Sequence, residues 1–150
     1  MKVRVGGGST TLELPVSKFV PGIFETVLPD SRKIAVLMRP DGTYVGAQNP
    51  AHKGEIITMF MTGLGAVNPV TGTNVAGIGG QTVVAQIIVG INNEGVRVVS
   101  KEYFPGMVGL YIVRFEVPQS APSQWDVKLS MGVVDGDNVV YGNDTIIPIL

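Results

Sequence analysis

The chain has no cysteine and only one histidine, His52, among its 150 residues. Without cysteine there can be no disulfide, no thiolate metal site and no cysteine nucleophile. A single histidine rules out metal sites that need two imidazoles, and it leaves one base at most for a catalytic triad. We therefore expect a protein that is not an enzyme and that needs no cofactor.

Charge is also scarce and nearly balanced. Eleven Lys and Arg residues face twelve Asp and Glu residues, so the net charge is −1. This balance argues against a nucleic-acid partner and against a polybasic membrane anchor. No apolar run approaches the ~20 residues of a membrane helix, and the first residues do not form a signal peptide.

What the chain does contain is apolar residues in short alternating runs. Hydrophobic residues make up 45% of the sequence, and 20 glycines and 10 prolines are spread between them without a repeat. In residues 127–133, Val, Leu and Met alternate with Lys, Ser and Gly, which is the pattern of a half-buried strand. Similar runs occur at residues 34–38, 56–62, 82–91 and 111–117. Strands at this spacing predict an all-β fold, an immunoglobulin-like β-sandwich.

Turn residues separate these runs. Residues 40–42, 92–95 and 135–138 are rich in Asp, Asn and Gly and predict hairpin turns. Prolines near residues 120–124 interrupt the strand pattern, so a short helical turn is expected there.

The alternation also predicts which side chains are buried. Met59, Phe115 and Leu129 fall on the apolar sides of their runs, and we expect them in the core. Lys128 and Glu116 fall on the opposite sides, and we expect them to be exposed.

The N-terminal region is distinct from the rest. Two short strands, at residues 2–5 and 10–16, flank a Gly-Gly-Gly-Ser run and predict a β-hairpin over residues 1–16. Residues 17–22 are predicted to be an extended linker, and residues 23–150 the β-sandwich domain. The hairpin is either the remnant of a preceding sandwich or a donor to a neighbouring one, and folding back onto its own domain is the alternative way to cover its apolar face. Its apolar residues, the predicted partner contacts, are Val3, Val5, Leu12 and Leu14.

Four motifs then occur in a fixed order along the chain. They are Pro21-Gly22-Ile23-Phe24, Asn49-Pro50-Ala51-His52-Lys53-Gly54, Thr62-Gly63-Leu64-Gly65 and Phe104-Pro105-Gly106-Met107-Val108-Gly109-Leu110-Tyr111. With this order and spacing, the chain resembles the Solibacter-type uncharacterised C-terminal domain found at the ends of large secreted bacterial proteins. The resemblance implies an immunoglobulin-like β-sandwich, an extracellular or cell-surface location and no catalytic residues. The chain departs from the family pattern at Ile112 and Arg114, where Gln and Asn are usual.

Three groups of residues in the sequence could carry chemistry. The glycines of residues 62–65 expose backbone N–H groups that could hold an anion, but a strand exit is the favoured interpretation. Asp135, Asp137 and Asn138 could supply calcium ligands, yet they match only half of an EF-hand loop, and a hairpin turn is favoured. His52 and Glu55 suggest a base and a carboxylate, but no serine nucleophile accompanies them.

Exposed aromatic side chains offer a second class of function, which is carbohydrate binding. The candidates are Tyr44, Tyr103, Phe104, Tyr111 and Trp125. Tyr111 lies on an inward strand face, and Trp125 is expected to pack under a loop. Tyr103 and Phe104 remain as the best candidates for an exposed contact.

The sequence thus favours a non-catalytic, extracellular structural or protein-interaction module. We expect it to self-associate by strand addition into chains or filaments, with other copies of itself or a neighbouring domain of the same parent protein as partner. The alternative is a carbohydrate-binding module that uses exposed aromatic residues to hold a cell-surface glycan.

Overall fold

The computed structural model describes residues 2–150, with the side chain of Arg4 excepted. Within this range all regular secondary-structure elements are β-strands, which confirms the all-β prediction. None of the described residues forms a helix long and apolar enough to cross a membrane. The strands are, in chain order, β1 (Lys2–Val5), β2 (Gly8–Thr11), β3 (Gly22–Ile23), β4 (Glu25–Val27), β5 (Lys33–Ala35), β6 (Leu37–Met38), β7 (Ile56–Thr62), β8 (Val67–Asn68), β9 (Thr82–Val83), β10 (Ile87–Ile91), β11 (Glu94–Val96), β12 (Val98–Tyr103), β13 (Tyr111–Glu116), β14 (Val127–Asp135), β15 (Asn138–Tyr141) and β16 (Thr145–Ile147).

Two antiparallel sheets hold most of these strands. The larger sheet has the order β3-β7-β13-β12-β9-β8, and β6 also pairs with β7. The second sheet has the order β11-β10-β14-β15, and β16 also pairs with β14. β1–β2 and β4–β5 are separate two-stranded hairpins. Segments that are distant in the sequence therefore meet within each large sheet.

The buried side chains of the two large sheets form one hydrophobic cluster. On β13, Val113 and Phe115 lie opposite Met59 and Ile57 of β7, and all four side chains are fully buried. Leu129 of β14 belongs to the same cluster. The predicted burial of Met59, Phe115 and Leu129 is therefore confirmed.

Lys128 and Glu116 lie on the outer faces of their strands, but they are half-buried rather than exposed. The Nζ atom of Lys128 lies 3.0 Å from a carboxylate oxygen of Asp144, and Arg97 lies 2.6 Å from Glu116. These pairs bring the long side chains down onto the sheet, which accounts for the difference from the prediction.

The predicted hairpin turns are present. Asn92 and Asn93 form a two-residue turn between β10 and β11, with positive φ angles of 52° and 65°. Asparagine tolerates this conformation better than most residues do, which is why Asn-rich hairpin turns are common. At residues 120–124, however, the structure has no helix. The N–H of Ala121 donates to the carbonyl of Pro118 in a single turn.

The N-terminal region follows the prediction only in part. β1 and β2 pair around a Gly6-Gly7 turn, but β2 ends at Thr11, the partner of Lys2, and does not extend over residues 10–16. Phe19, in the predicted linker, is buried and belongs to the hydrophobic cluster. We call residues 2–16 the N-terminal arm.

The shared core generates the first testable prediction. We expect Phe115→Ala to lower the free energy of unfolding by about 3–5 kcal/mol, because the lost ring leaves a cavity between the sheets. Phe24→Ala is the matched control, since Phe24 is 45% exposed, and it should lower the same quantity by only about 1 kcal/mol. Urea denaturation followed by fluorescence measures both. Equal losses would contradict the strand register.

Candidate interaction surfaces

The N-terminal arm presents apolar side chains to solvent. Val5, Leu14 and Val16 are exposed by 79%, 55% and 95%. Val3 and Leu12, which were also predicted to bind a partner, are exposed to a smaller extent. A two-stranded hairpin on its own is marginally stable in water, so an apolar arm of this kind gains stability from any surface that covers it.

The arm joins the packed domain beside the motif at residues 62–65. The N–H of Val20 donates to the carbonyl of Gly63 over 3.1 Å. A Cβ atom at Gly63 would lie 1.8 Å from the carbonyl oxygen of Val20, and at Gly65 it would lie 2.7 Å from the ring of Phe19. These glycines therefore make room for the incoming chain, which supports the strand-exit interpretation over anion binding.

Lys18, just after the arm, forms an ion pair with the second sheet. Its Nζ atom lies 2.8 Å from the Oδ1 atom of Asp135, at the end of β14 in the second sheet. Asp135 was one of the three calcium candidates, and here its partner is an ammonium group. Asp137 and Asn138 are exposed in the neighbouring turn. Within residues 2–150, no three His, Cys, Asp or Glu side chains are grouped so that they could hold a metal ion.

His52 and Glu55 do not form a base–carboxylate pair through their side chains. The carboxylate of Glu55 accepts the Nε–H of Arg39, 3.2 Å from each oxygen, and the backbone N–H of His52 at 3.0 Å. Arg39 is buried and also donates to the carbonyl of Pro50. Glu55 therefore neutralises a buried guanidinium and shapes the loop, which is a structural role.

Tyr103 was predicted to be an exposed contact, and this prediction is wrong, because the side chain is only 4% exposed. β12 extends to Tyr103 and turns it toward the core, where its ring lies 5.0 Å from that of Tyr111. Its hydroxyl accepts the N–H of Gly109 at 2.7 Å and donates to the carbonyl of Val75 at 3.3 Å. Trp125 is 48% exposed instead of packed, so Trp125 and Tyr103 do not form a shared aromatic platform.

Tyr111, the neighbour of Tyr103, is buried as expected. Its hydroxyl donates to the carbonyl of Gly65 over 2.7 Å and so ties β13 to the loop that receives the incoming chain. Burial raises the pKa of Tyr111, and the nearby Tyr103 adds to the effect. The hydroxyl therefore remains a hydrogen-bond donor at neutral pH.

Phe104 is half-buried, with its ring 6.2 Å from that of Phe60. Phe60 lies on the outer face of β7 and lines an open groove of about 460 Å³. None of the described residues that line this groove is charged. Apolar side chains in an exposed groove often mark a binding surface. We call it the outer groove, and its main apolar residues are Phe24, Val36, Tyr44, Phe60, Met107 and Val108.

A second groove, of about 480 Å³, lies on the outer face of the second sheet. Tyr141 lines one side of this groove and is 69% exposed. Its ring lies close over Gly132, where an added Cβ atom would be 3.3 Å from the ring. The ion pair of Lys128 and Asp144 also lines it. We call it the glycine groove, after Gly90, Gly95, Gly132 and Gly142, which lie along it.

Sequence reasoning identified neither groove, although weak signals were present. Gly90 and Gly132 interrupt strand patterns, and glycine inside a strand often marks a close approach of another group. Phe60 makes β7 apolar on both faces, a pattern typical of a strand that is covered on both sides. The other residues of the outer groove come from separate parts of the chain, so no local pattern could group them.

No family model, curated protein or solved structure matches the chain. The function has to be inferred from the surfaces just described.

The contact at Gly63 generates the second prediction. Gly63→Ala should lower the free energy of unfolding by more than Gly79→Ala. Both glycines have positive φ, 72° and 86°, but a Cβ atom at Gly79 would meet nothing within 4 Å. The backbone strain at Gly79 alone should lower the free energy of unfolding by about 1–2 kcal/mol. Urea denaturation compares the two variants, and equal losses would show that the Val20 carbonyl does not hold the chain there.

Proposed function

We propose that this chain is a non-catalytic structural or protein-interaction module that acts outside the cell and self-associates through its N-terminal arm. The observation that carries the proposal is the exposure of Val5, Leu14 and Val16 on a segment that the packed domain leaves open to solvent. Burying these side chains against a second copy removes apolar surface from water, which is the main favourable term in association.

Strand addition is the form of association that suits an extended arm. Its backbone groups gain hydrogen bonds from the receiving copy, while alternate side chains occupy apolar pockets. Such a contact joins two different surfaces of the same chain, so it produces chains or filaments wherever the rotation between copies does not close a ring. A neighbouring domain of the same parent protein is the other partner that this mode suits.

The fold within this proposal is an immunoglobulin-like β-sandwich. Its support is the single hydrophobic cluster shared by two large antiparallel sheets, the packing expected when two sheets stack face to face. The extracellular or cell-surface location rests on the resemblance of the four motifs to the Solibacter-type domain.

The proposal that the chain is non-catalytic is supported by the partners of the candidate carboxylates. The carboxylate of Glu55 is bound by Arg39, and Asp135 is bound by Lys18. The net charge of −1 argues against a nucleic-acid partner.

Carbohydrate binding remains a second candidate, and the glycine groove is the observation that favours it. Tyr141 offers an exposed ring beside an open floor, and Ser130, Lys128 and Asp144 offer polar groups along the same groove. An exposed aromatic ring with polar groups around it suits a sugar, which has one apolar face and a rim of hydroxyl groups. The glycan site is thus proposed at Tyr141 rather than at Tyr103.

The arm generates the third prediction. Val16→Asp should dissociate the assembled protein, because a desolvated carboxylate opposes burial of the arm. Val70→Asp is the matched control, since Val70 is an 86% exposed valine outside the arm and the same charge is added there. Size-exclusion chromatography with light scattering, over a series of protein concentrations, measures the mass. A wild-type chain that stays monomeric, or a Val16→Asp variant that assembles normally, would refute self-association through the arm.

The glycine groove generates the fourth prediction. Tyr141→Ala should weaken binding of soluble oligosaccharides by about tenfold or more, equivalent to about 1.4 kcal/mol, through loss of the ring. Tyr44→Ala is the matched control, because Tyr44 is a similarly exposed tyrosine in the other groove. Isothermal titration with cellohexaose and chitohexaose measures the affinity. Binding that survives Tyr141→Ala would exclude this groove as the site, and no binding of either sugar would count against this second candidate.

A further inference from the structure

We infer that the glycine groove is one half of a longer site, which binds a linear, uncharged oligosaccharide of several sugar units. This inference rests on the carbohydrate-binding candidate proposed above and adds the class of glycan to it. The second half of the site is a groove of about 340 Å³. We call it the ion-pair groove, and it is lined by Glu25, Lys33, Lys128, Asp144, Thr145 and Ile146.

The two grooves share a wall. Lys128 and Asp144 line both of them, and the Nζ atom of Lys128 lies 3.0 Å from a carboxylate oxygen of Asp144. Both side chains remain partly exposed, at 44% and 62%. A ligand that contacts Tyr141 in the glycine groove can therefore continue across this ion pair into the ion-pair groove without leaving the surface.

The strand register shows how far the combined site extends. Gly132 lies opposite Tyr141, and Lys128 lies four residues earlier on the same face of β14, about 13 Å away. Ile146 of β16 lies opposite Lys128, and β5, which carries Lys33, packs beside β16. A pyranose ring is similar in width to the phenol ring of Tyr141, so a site of this length holds several sugar units rather than one.

The charges along the ion-pair groove balance. Its described lining has two cations and two anions, and these form the pairs Lys128–Asp144 and Lys33–Glu25, with closest N–O distances of 3.0 and 4.0 Å. An acidic polymer would bring its own anions close to Asp144 and Glu25 as well as to the lysines, so attraction and repulsion would largely cancel. This balance favours a neutral glycan over an acidic one.

The same ion pairs can bind sugar hydroxyl groups. An ammonium group has three N–H donors and a carboxylate accepts several hydrogen bonds, so one salt bridge uses only part of their capacity. Hydrogen bonds to charged groups are also stronger than those between neutral groups. The ring of Tyr141 suits the apolar face of one sugar unit, and the ion pairs suit the hydroxyl groups of later units. The two halves of the site therefore bind different parts of one chain.

The test varies the length of the sugar and the half of the site that is changed. The wild-type chain should bind cellohexaose or chitohexaose at least about tenfold more tightly than the corresponding disaccharide. Lys33→Ala should weaken hexasaccharide binding by about fivefold and leave disaccharide binding unchanged, because only the longer sugar reaches β5. Tyr141→Ala should weaken the binding of both. Isothermal titration measures the hexasaccharides, and competition against them measures the disaccharides.

Two further variants and one further sugar complete the test. Arg32→Ala is the matched control and should bind like the wild type, since Arg32 is the neighbouring cation, forms an ion pair with Asp30 and lines neither groove. Glu25→Gln repeats the test at the partner carboxylate with little change in shape. Hexagalacturonate should bind more weakly than the neutral hexasaccharide, and tighter binding of this acidic sugar would overturn the assignment of an uncharged chain.

The outcomes separate this inference from the function on which it rests. If hexasaccharide binding requires Tyr141 but neither Lys33 nor Glu25, the glycine groove acts alone, and the extended site is overturned while the carbohydrate-binding candidate stands. Equal losses of disaccharide and hexasaccharide binding in Lys33→Ala would overturn the extended site as well. If neither hexasaccharide binds, or if Tyr141→Ala has no effect, the carbohydrate-binding candidate fails and the inference fails with it.

Discussion

The close contact between the carbonyl of Val20 and Gly63 is the constraint on which the proposed assembly depends. A side chain at Gly63 would overlap the Val20 carbonyl at 1.8 Å, so only glycine lets the incoming chain lie against the end of β7. Tyr111 holds the same loop through its bond to Gly65. Together these contacts fix the point at which the arm leaves the domain, and with it the surfaces that the arm can reach.

Residues that the sequence suggested for catalysis or binding instead form hydrogen bonds and ion pairs that join separate segments of the chain. Glu55 neutralises the buried Arg39, and Ala51 exchanges backbone hydrogen bonds with the last residues of the chain, donating to Pro148 and accepting from Leu150. The hydroxyl of Tyr103 joins the 75 and 109 loops in the same way. Buried polar groups need partners, and here those partners come from loops that would otherwise be loosely held.

The arm, the outer groove and the glycine groove are three uncovered surfaces of the described residues 2–150. The first two are apolar, and their burial lowers the free energy by roughly 25 cal/mol for each Å² removed from water. The glycine groove is different, because the ion pair of Lys128 and Asp144 lies beside the Tyr141 ring. The two kinds of surface therefore favour different chemistry in a partner, an apolar surface for the arm and the outer groove and a polar ligand with an apolar face for the glycine groove.

The sequence by itself determined the all-β class, the hairpin turns and the burial of Met59, Phe115 and Leu129. Alternation and turn chemistry act over a few neighbouring residues, so they can be seen in the sequence without the fold. Only the tertiary structure decided that Tyr103 faces the core, that Phe19 is buried in the hydrophobic cluster, and that Phe24, Phe60 and Val108 share one groove. Those facts depend on which strands pair and on which loop lies over which sheet. Such pairings join segments far apart in the chain, and no local pattern of residues specifies them.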